Sequence, residues 1–422
     1  MIKKQGALLR NVIKKTIQGF GLPLLFAVGV VVVGCNKITP EEKHIARTVI
    51  VYINADNNLF DQSLGSLSFG ALIDINEMEQ AWNDNSKDVL LVYLNSGEYS
   101  KDGIYKKSAP TILRIHHDDD PLRITSPVVK TYDKHDASSP KVLSQVIADA
   151  RRIARADSYA LVFWSHGTGW VPSGLGAPLR TEQNPEEATS YSFGISNSYG
   201  KNQMEIDDLV RALPSDILFD YIAFDACYMG GIEVAYQLRK SCRYFIGSAV
   251  ETPIDGFEYD LVMNELLSAN VNELVHKTYL YNKAQTGWMS TCAMSVVDCS
   301  KLENLAAATR RLTEKSPRKM SDVLFSSIQD LGSSSSFRAT YYDFGDFVNH
   351  TWALAPDLGA FQTALQEAVP TKYFLPVNLG SYNITTYSGF SCFVPRAYQS
   401  KALAAFRERY DWSAASGLGS MQ

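Results

Sequence analysis

The chain has 422 residues, 45% hydrophobic and 20% charged, a balance that supplies core for two or three packed units and excludes a disordered or fibrous protein. Its formal charge of −5 becomes −10 without residues 1–34, because that segment holds five Lys and Arg and no acid. An acidic body of this kind argues against nucleic acid as a partner.

Lys3, Lys4, Arg10, Lys14 and Lys15 precede an apolar run from Phe20 to Gly34. The run is shorter than the roughly 20 residues of a spanning helix, so it reads as a signal peptide. It ends Val32-Val33-Gly34-Cys35, similar to a bacterial lipobox in which the Cys is lipidated and becomes the mature N-terminus. The expectation is a signal peptide over 1–34, a tether over 35–47 and a lipid-anchored protein of the bacterial cell envelope, since several acyl chains hold a membrane firmly. The alternative is an ordinary signal sequence with an incidental Cys35.

Structure is predicted to begin at Thr48 to Ile53, a β-rich run followed by the polar Asn54-Ala55-Asp56-Asn57-Asn58. Leu72, Ile75, Met78 and Trp82 recur at helical spacing, and Asp88 to Leu94 reads as a second strand. Short strands around Thr111 to Ile115 and Val128 to Lys130 flank His116-His117-Asp118-Asp119-Asp120. Five polar residues before a Pro read as a solvated hairpin turn, with a metal site as the competing reading. Ser139-Pro140 opens a helix through Val142, Val146, Ala150 and Ile153, with the hydroxyl as its expected cap.

That helix leads into Leu161-Val162-Phe163-Trp164-Ser165-His166-Gly167-Thr168-Gly169-Trp170, an apolar run that stops on a reactive side chain. A polar stretch to Gly200 follows, with Arg180 as its one basic residue from Val171 onward. Beyond a short helix over Glu205 to Leu213, Ile217 to Phe224 reads as a strand that ends Asp225-Ala226-Cys227-Tyr228-Met229-Gly230-Gly231. A helix to Leu238 and a strand from Tyr244 to Val250 complete a strand–helix alternation that indicates an α/β fold with a mostly parallel sheet covered by helices. This α/β core is placed at 48–260. Residues 261–422 read as mainly helical, with helices at Asn272 to Lys283, Lys301 to Glu314, Arg318 to Leu331 and Leu358 to Ala368, and a late strand near Thr385 to Pro395 packing back on a sheet.

Chemistry in α/β folds sits at the carboxyl ends of parallel strands, which singles out His166 and Cys227. A thiolate can attack a peptide carbonyl, and a helix starting just past Cys227 would favour that thiolate. His166 on a neighbouring strand can protonate the leaving amine. Gly167 permits close backbone approach, and its N–H with that of Cys227 could form an oxyanion hole. Ser165 lacks a Gly-x-Ser-x-Gly elbow and is read as non-catalytic. Asp225, two residues before Cys227, is expected on the same strand face, and Asp255 lies in the loop after the next strand. Cys242, Cys292, Cys299 and Cys392 are read as buried free thiols, since their spacing is neither a metal pattern nor a disulfide framework.

The Ser-His-Gly-Thr-Gly-Trp and Asp-Ala-Cys-Tyr-Met-Gly runs resemble the two signature segments of the clostripain family of cysteine peptidases, relatives of caspases, legumains and gingipains. Ala55-Asp56-Asn57-Asn58-Leu59, Asp74-Ile75-Asn76-Glu77-Met78, Glu251-Thr252-Pro253 and Asp255-Gly256 extend the likeness, with a weaker echo in Tyr342-Asp343-Phe344-Gly345-Asp346-Phe347. The resemblance implies a caspase-like sheet, a His166–Cys227 dyad and cleavage after basic residues. It implies that Asp225 and Asp255 line the pocket for Arg or Lys, with Glu251 and Asp260 as substitutes, and self-processing in the linker, for which Arg180 is the candidate. The expected partners are protein or peptide substrates. No cofactor is implied for the chemistry. Some relatives depend on calcium, but Asp56-Asn57-Asn58 lacks the spacing of an EF-hand loop, so no calcium site is assigned. The competing classes are an exported lipoprotein with a binding or assembly role and a metal-dependent hydrolase using His116, His117 and Asp118.

Overall fold

The computed structural model describes residues 44–57, 70–99, 105–107, 109–121, 123–172, 193–200, 202–332, 340–396 and 399–421. Cys35, Arg180 and the whole N-terminal segment through residue 43 lie outside them. In chain order the first elements are β1 (Ile45–Ala55), α1 (Gly70–Ala81), β2 (Val89–Tyr99), β3 (Tyr105–Lys107), β4 (Thr111–Arg114), β5 (Val128–Thr131), α2 (Pro140–Ile153) and β6 (Ala156–Trp164). Next come β7 (Phe193–Ser196), β8 (Asn202–Met204), α3 (Ile206–Ala212), β9 (Phe219–Asp225), α4 (Ile232–Leu238), β10 (Cys242–Ser248), α5 (Tyr259–Ser268) and α6 (Val271–Ala284). The remainder are β11 (Ala293–Asp298), α7 (Leu302–Lys315), β12 (Tyr342–Asp343), α8 (Phe344–Thr351), α9 (Leu358–Ala368), β13 (Thr371–Phe374), β14 (Val377–Asn378), β15 (Tyr382–Asn383), β16 (Ser391–Cys392), α10 (Ser400–Arg409) and α11 (Asp411–Ala415).

A 10-stranded sheet has the order β13-β11-β10-β9-β6-β1-β2-β4-β5, with β3 on β2. The central strands β10, β9, β6, β1 and β2 run parallel. The edges are antiparallel. The central runs read as unbroken apolar stretches because both faces are covered. Tyr52, Phe163 and Phe224 point into one layer, with α2, α3, α4 and α7. Val51, Val162, Trp164 and Ala223 point into the other, with α1, α5 and α6. This is the expected α/β class.

Four expectations change. The 261–422 part is not only helical, since β11 and β13 extend the main sheet beyond β10. The late strand is reduced to Ser391–Cys392, which pairs with Tyr342–Asp343 rather than with the main sheet. Phe390, Cys392, Phe393 and Val394 are apolar because they are buried in the core, and Gly389 at φ 111° and Pro395 break regular pairing. Arg318 to Leu331 holds two 3₁₀ turns instead of a helix. Leu324 is 65% exposed there, so no apolar stripe secures a longer helix. Ser139 precedes Pro140 as expected but makes no side-chain cap bond.

Candidate active site

Parallel pairing of β6 with β9 sets Trp164 opposite Asp225. His166 and Cys227 each follow that pair by two residues, so both leave the sheet at its carboxyl edge on neighbouring strands. A Cβ added to Gly167 would lie 2.6 Å from the Cys227 carbonyl oxygen and 2.9 Å from Met229 Sδ, so the two loops touch backbone to backbone only because residue 167 is Gly. On its other side the His loop is held by the returning chain, where the Gly194 N–H donates to His166 O at 2.8 Å and Gly167 bridges Phe193.

Cys227 is a free, partly buried thiol. Its Sγ accepts the Thr252 N–H at 3.2 Å. Desolvation dominates and pushes the thiol up to about 12, with Glu251 and Asp225 adding in the same direction against the Thr252 N–H. Desolvation also lowers His166 to about 4. Both groups are therefore neutral near pH 7. The expected helix N-terminus does not supply a thiolate: α4 begins at Ile232 and has seven residues. Cys227 instead sits in a turn whose next residue, Tyr228, has φ 57°, a strained conformation for a non-glycine residue.

That turn also ends the face rule for Asp225. Regular alternation stops with β9 at Asp225, and Cys227 packs against the layer that holds Phe224 and Tyr228. Asp225 is buried and accepts the Phe257 N–H at 3.0 Å and the Tyr259 hydroxyl at 3.2 Å. Gly256, at φ 59°, fits over it, since a Cβ there would lie 2.5 Å from Asp225 Oδ1. Asp255, the residue before Gly256, turns instead to α6, its Oδ2 accepting the Tyr281 hydroxyl at 3.0 Å, and its charge acts on Glu77 and Glu258.

More acids gather here than the motifs alone indicated. Trp164 Nε1 donates to Asp74 at 2.6 Å, and Tyr259 N–H to Glu77 at 3.0 Å. Burial raises Asp74 and Asp225, and the charge of Asp225 raises Asp74 further. Burial, then Glu258, raise Glu77 to about 8. Carboxylate oxygens of Glu77, Glu258 and Asp260 lie within 4.8 Å of one another, a spacing that could hold a cation. The signal was the Asp74-Ile75-Asn76-Glu77 run, which carried no chemical role by itself.

Ser165 is structural, its hydroxyl donating to Asn54 O at 2.7 Å. Asp56 accepts the Ser198 hydroxyl at 2.8 Å, and Asn57 donates to Asn54 O and Ile195 O, so that segment ties β1 to β7. His116 meets Thr125 at 3.1 Å and His117 meets Asp119 at 3.5 Å. Among the described residues, neither His belongs to a group of three or more metal-ligating side chains. Sequence reading also missed Tyr341, which stacks on Tyr228 at 4.5 Å and donates its hydroxyl to Thr168 O at 2.7 Å.

A thiol and an imidazole at adjacent strand ends, near a cluster of buried acids on an α/β sheet, define a class of hydrolase scaffold. Residues 51–383 match the clostripain family, and the chain belongs to that family. Clostripain of Hathewaya histolytica is 30% identical over 239 residues, 52% of this chain. The match spans 42% of that curated relative's length. A secreted C11 cysteine protease from Bacteroides thetaiotaomicron, solved with an irreversible peptide inhibitor, is 28% identical with a TM-score of 0.69, covering 89% of this chain and 100% of that one. An inactive zymogen C11 protease from Parabacteroides distasonis is 28% identical with a TM-score of 0.69, covering 88% of this chain and 98% of its own.

Proposed function

We propose that the chain is a cysteine endopeptidase that cuts after basic residues, with Cys227 as nucleophile and His166 as its proton-transfer partner. The supporting observation is the Trp164–Asp225 register, which brings both side chains to adjacent strand ends. Starting neutral, His166 accepts the thiol proton as sulfur attacks the scissile carbonyl, then hands it to the leaving amine. The N–H groups of Gly167 and Cys227 receive the developing oxyanion, and the Thr252 N–H at 3.2 Å supports negative charge on sulfur. Asp225 and Asp255 bind the Arg or Lys side chain by charge-assisted hydrogen bonds. No metal takes part in these steps.

Arg180 is the proposed processing site, in line with the zymogen named among the similar structures. Cys35 carries the lipid that holds the exported protein to a membrane. Among the described residues, no helix is long and apolar enough to cross one. The test uses wild type, Cys227→Ala and His166→Ala with an Arg-reporting peptide and an Arg-bearing thiol label. Loss of hydrolysis in both variants with folding intact is expected. Substantial activity in either removes the dyad, and a wild type that neither cleaves nor labels leaves a binding or assembly role. An Arg180→Ala chain that is still cut at the same bond, or an uncut wild type with full activity, removes the processing step.

A further inference from the structure

Outside the site, among the described residues, Cys242 and Cys299 stand together. Cys242 opens β10, and Cys299 follows the last residue of β11 and opens the turn into α7. Their sulfurs are 3.6 Å apart, with the two residues 1% and 4% exposed. A disulfide needs a sulfur spacing of about 2.05 Å, so closure takes a shift of about 1.5 Å, within reach of a side-chain rotation. Two other thiols face different partners: Cys227 meets Thr252, and Cys292 faces Tyr373 O at 3.9 Å.

We propose that Cys242 and Cys299 are a disulfide-forming pair that oxidises selectively and leaves the Cys227 thiol free. The step is thiol–disulfide exchange with a disulfide oxidant. One protein thiolate attacks the oxidant and expels its first thiol. The second protein thiol then attacks the mixed disulfide and expels the other, so two protein thiols lose two hydrogens and the oxidant is reduced to two thiols. Burial and the neighbouring Cys299 thiol hold Cys242 protonated in the folded chain, so the bond closes as the chain folds and is afterwards shielded from reductant. It closes a loop across 57 positions and joins β10, whose far end leads to the Thr252 loop, to the α7 part of the chain. The proposal is independent of the peptidase assignment and would hold equally in an inactive chain.

The experiment refolds the full chain from denaturant in an oxidised/reduced glutathione buffer, alkylates it with iodoacetamide under denaturing conditions, and maps the digest by mass spectrometry. A peptide pair joining Cys242 to Cys299, two hydrogens lighter than the reduced pair, is expected, with Cys227 alkylated. The oxidised form should melt roughly 5 °C above the reduced form. The double variant Cys242→Ser, Cys299→Ser should lose that difference and keep the wild-type activity. Alkylation of both cysteines, or linkage of either to Cys292, Cys392 or Cys227, overturns the proposal. An equal melting temperature for linked and reduced protein overturns its stabilising role.

Discussion

Tyr341→Phe is the most discriminating perturbation, because it removes one atom from a contact between the loops that carry His166 and Cys227. Tyr341 is fully buried, its ring lies 4.5 Å from that of Tyr228 at an interplanar angle of 10°, and its hydroxyl donates to Thr168 O at 2.7 Å. One aromatic residue thus grips the turn that carries Cys227 and the loop that carries His166. Phe keeps the ring and its stack, which contributes about 0.5–1.5 kcal/mol. The lost hydrogen bond costs about 1 kcal/mol, and the carbonyl it leaves is only partly compensated by the Val171 N–H at 3.3 Å. A stability loss of about 1–2 kcal/mol follows, against about 3–5 kcal/mol for Tyr341→Ala, which also opens a cavity. Because Thr168 is two residues from His166 and distant in sequence from Asp225 and Asp255, the kinetic effect should fall on kcat, by roughly tenfold, with KM unchanged. Urea unfolding and steady-state kinetics on an Arg peptide measure both. A Phe variant with the expected stability loss and an unchanged kcat would show that Tyr341 serves the core alone. A Phe loss as large as that of Ala would refute the claim that the stack survives.

Asp225→Asn should raise KM for Arg and Lys substrates at least tenfold with a smaller effect on kcat; a variant that still prefers Arg over Ala at the cleavage position removes the pocket role. Burial raises the Asp225 carboxyl, so KM for basic substrates should fall as pH rises from about 5 to about 8, and the Asn variant should show a flat profile. Glu77, raised to about 8 in the fold, binds its proton more tightly folded than unfolded. Its contribution to stability is complete below its unfolded value, near 4.5, and is lost as pH rises through about 8; unfolding of Glu77→Gln in that window should show a smaller pH slope. Gly167→Ala should cut kcat by roughly a hundredfold, because its Cβ would meet the Cys227 carbonyl at 2.6 Å and drive the loops apart; retained activity would mean that this close approach is dispensable. Cys35→Ser should move the protein from membrane pellet to supernatant, whereas retention with an uncut leader would mark Phe20 to Gly34 as the anchor.

The sheet centre was legible because strands covered on both faces are apolar throughout, and β1, β2, β6, β9 and β10 announce themselves by that run. The antiparallel additions were not. Ala293–Asp298 and Thr371–Phe374 are six and four residues long, and they pair on an edge laid down far earlier in the chain. Periodicity also failed at the site itself. Alternation runs to Asp225, where β9 ends; Cys227 lies in the turn beyond it, which continues through a positive φ at Tyr228, and nothing local in a Tyr announces that conformation. His166 and Cys227 could be read from motif and strand end. The contact of Thr252 with the thiol, although Thr252 stood in a matching run, and that of Tyr341 could not, since each is made by a backbone group or a side chain brought in by tertiary packing.

The electrostatics of the site bear on selectivity for a cation. Cys227 and His166 are both held neutral by desolvation, so neither offers a charge to an approaching peptide. The acids lie on the opposite face, where Asp225 raises the cost of ionising Asp74 and Glu258 acts on both Asp225 and Glu77. A set of buried acids in this state is stabilised by a proton or by a cation, because like charges in a low dielectric oppose full ionisation. On the proposed function, a guanidinium entering beside Asp225 replaces the protons with one fixed counter-charge. A neutral side chain offers no such exchange and leaves the carboxylates desolvated and unpaired. Selectivity then comes as much from the cost of the empty or wrongly filled pocket as from contacts to the right residue. Gly256 belongs to the same arrangement: a Cβ there would lie 2.5 Å from Asp225 Oδ1, so a side chain would displace the loop from the carboxylate.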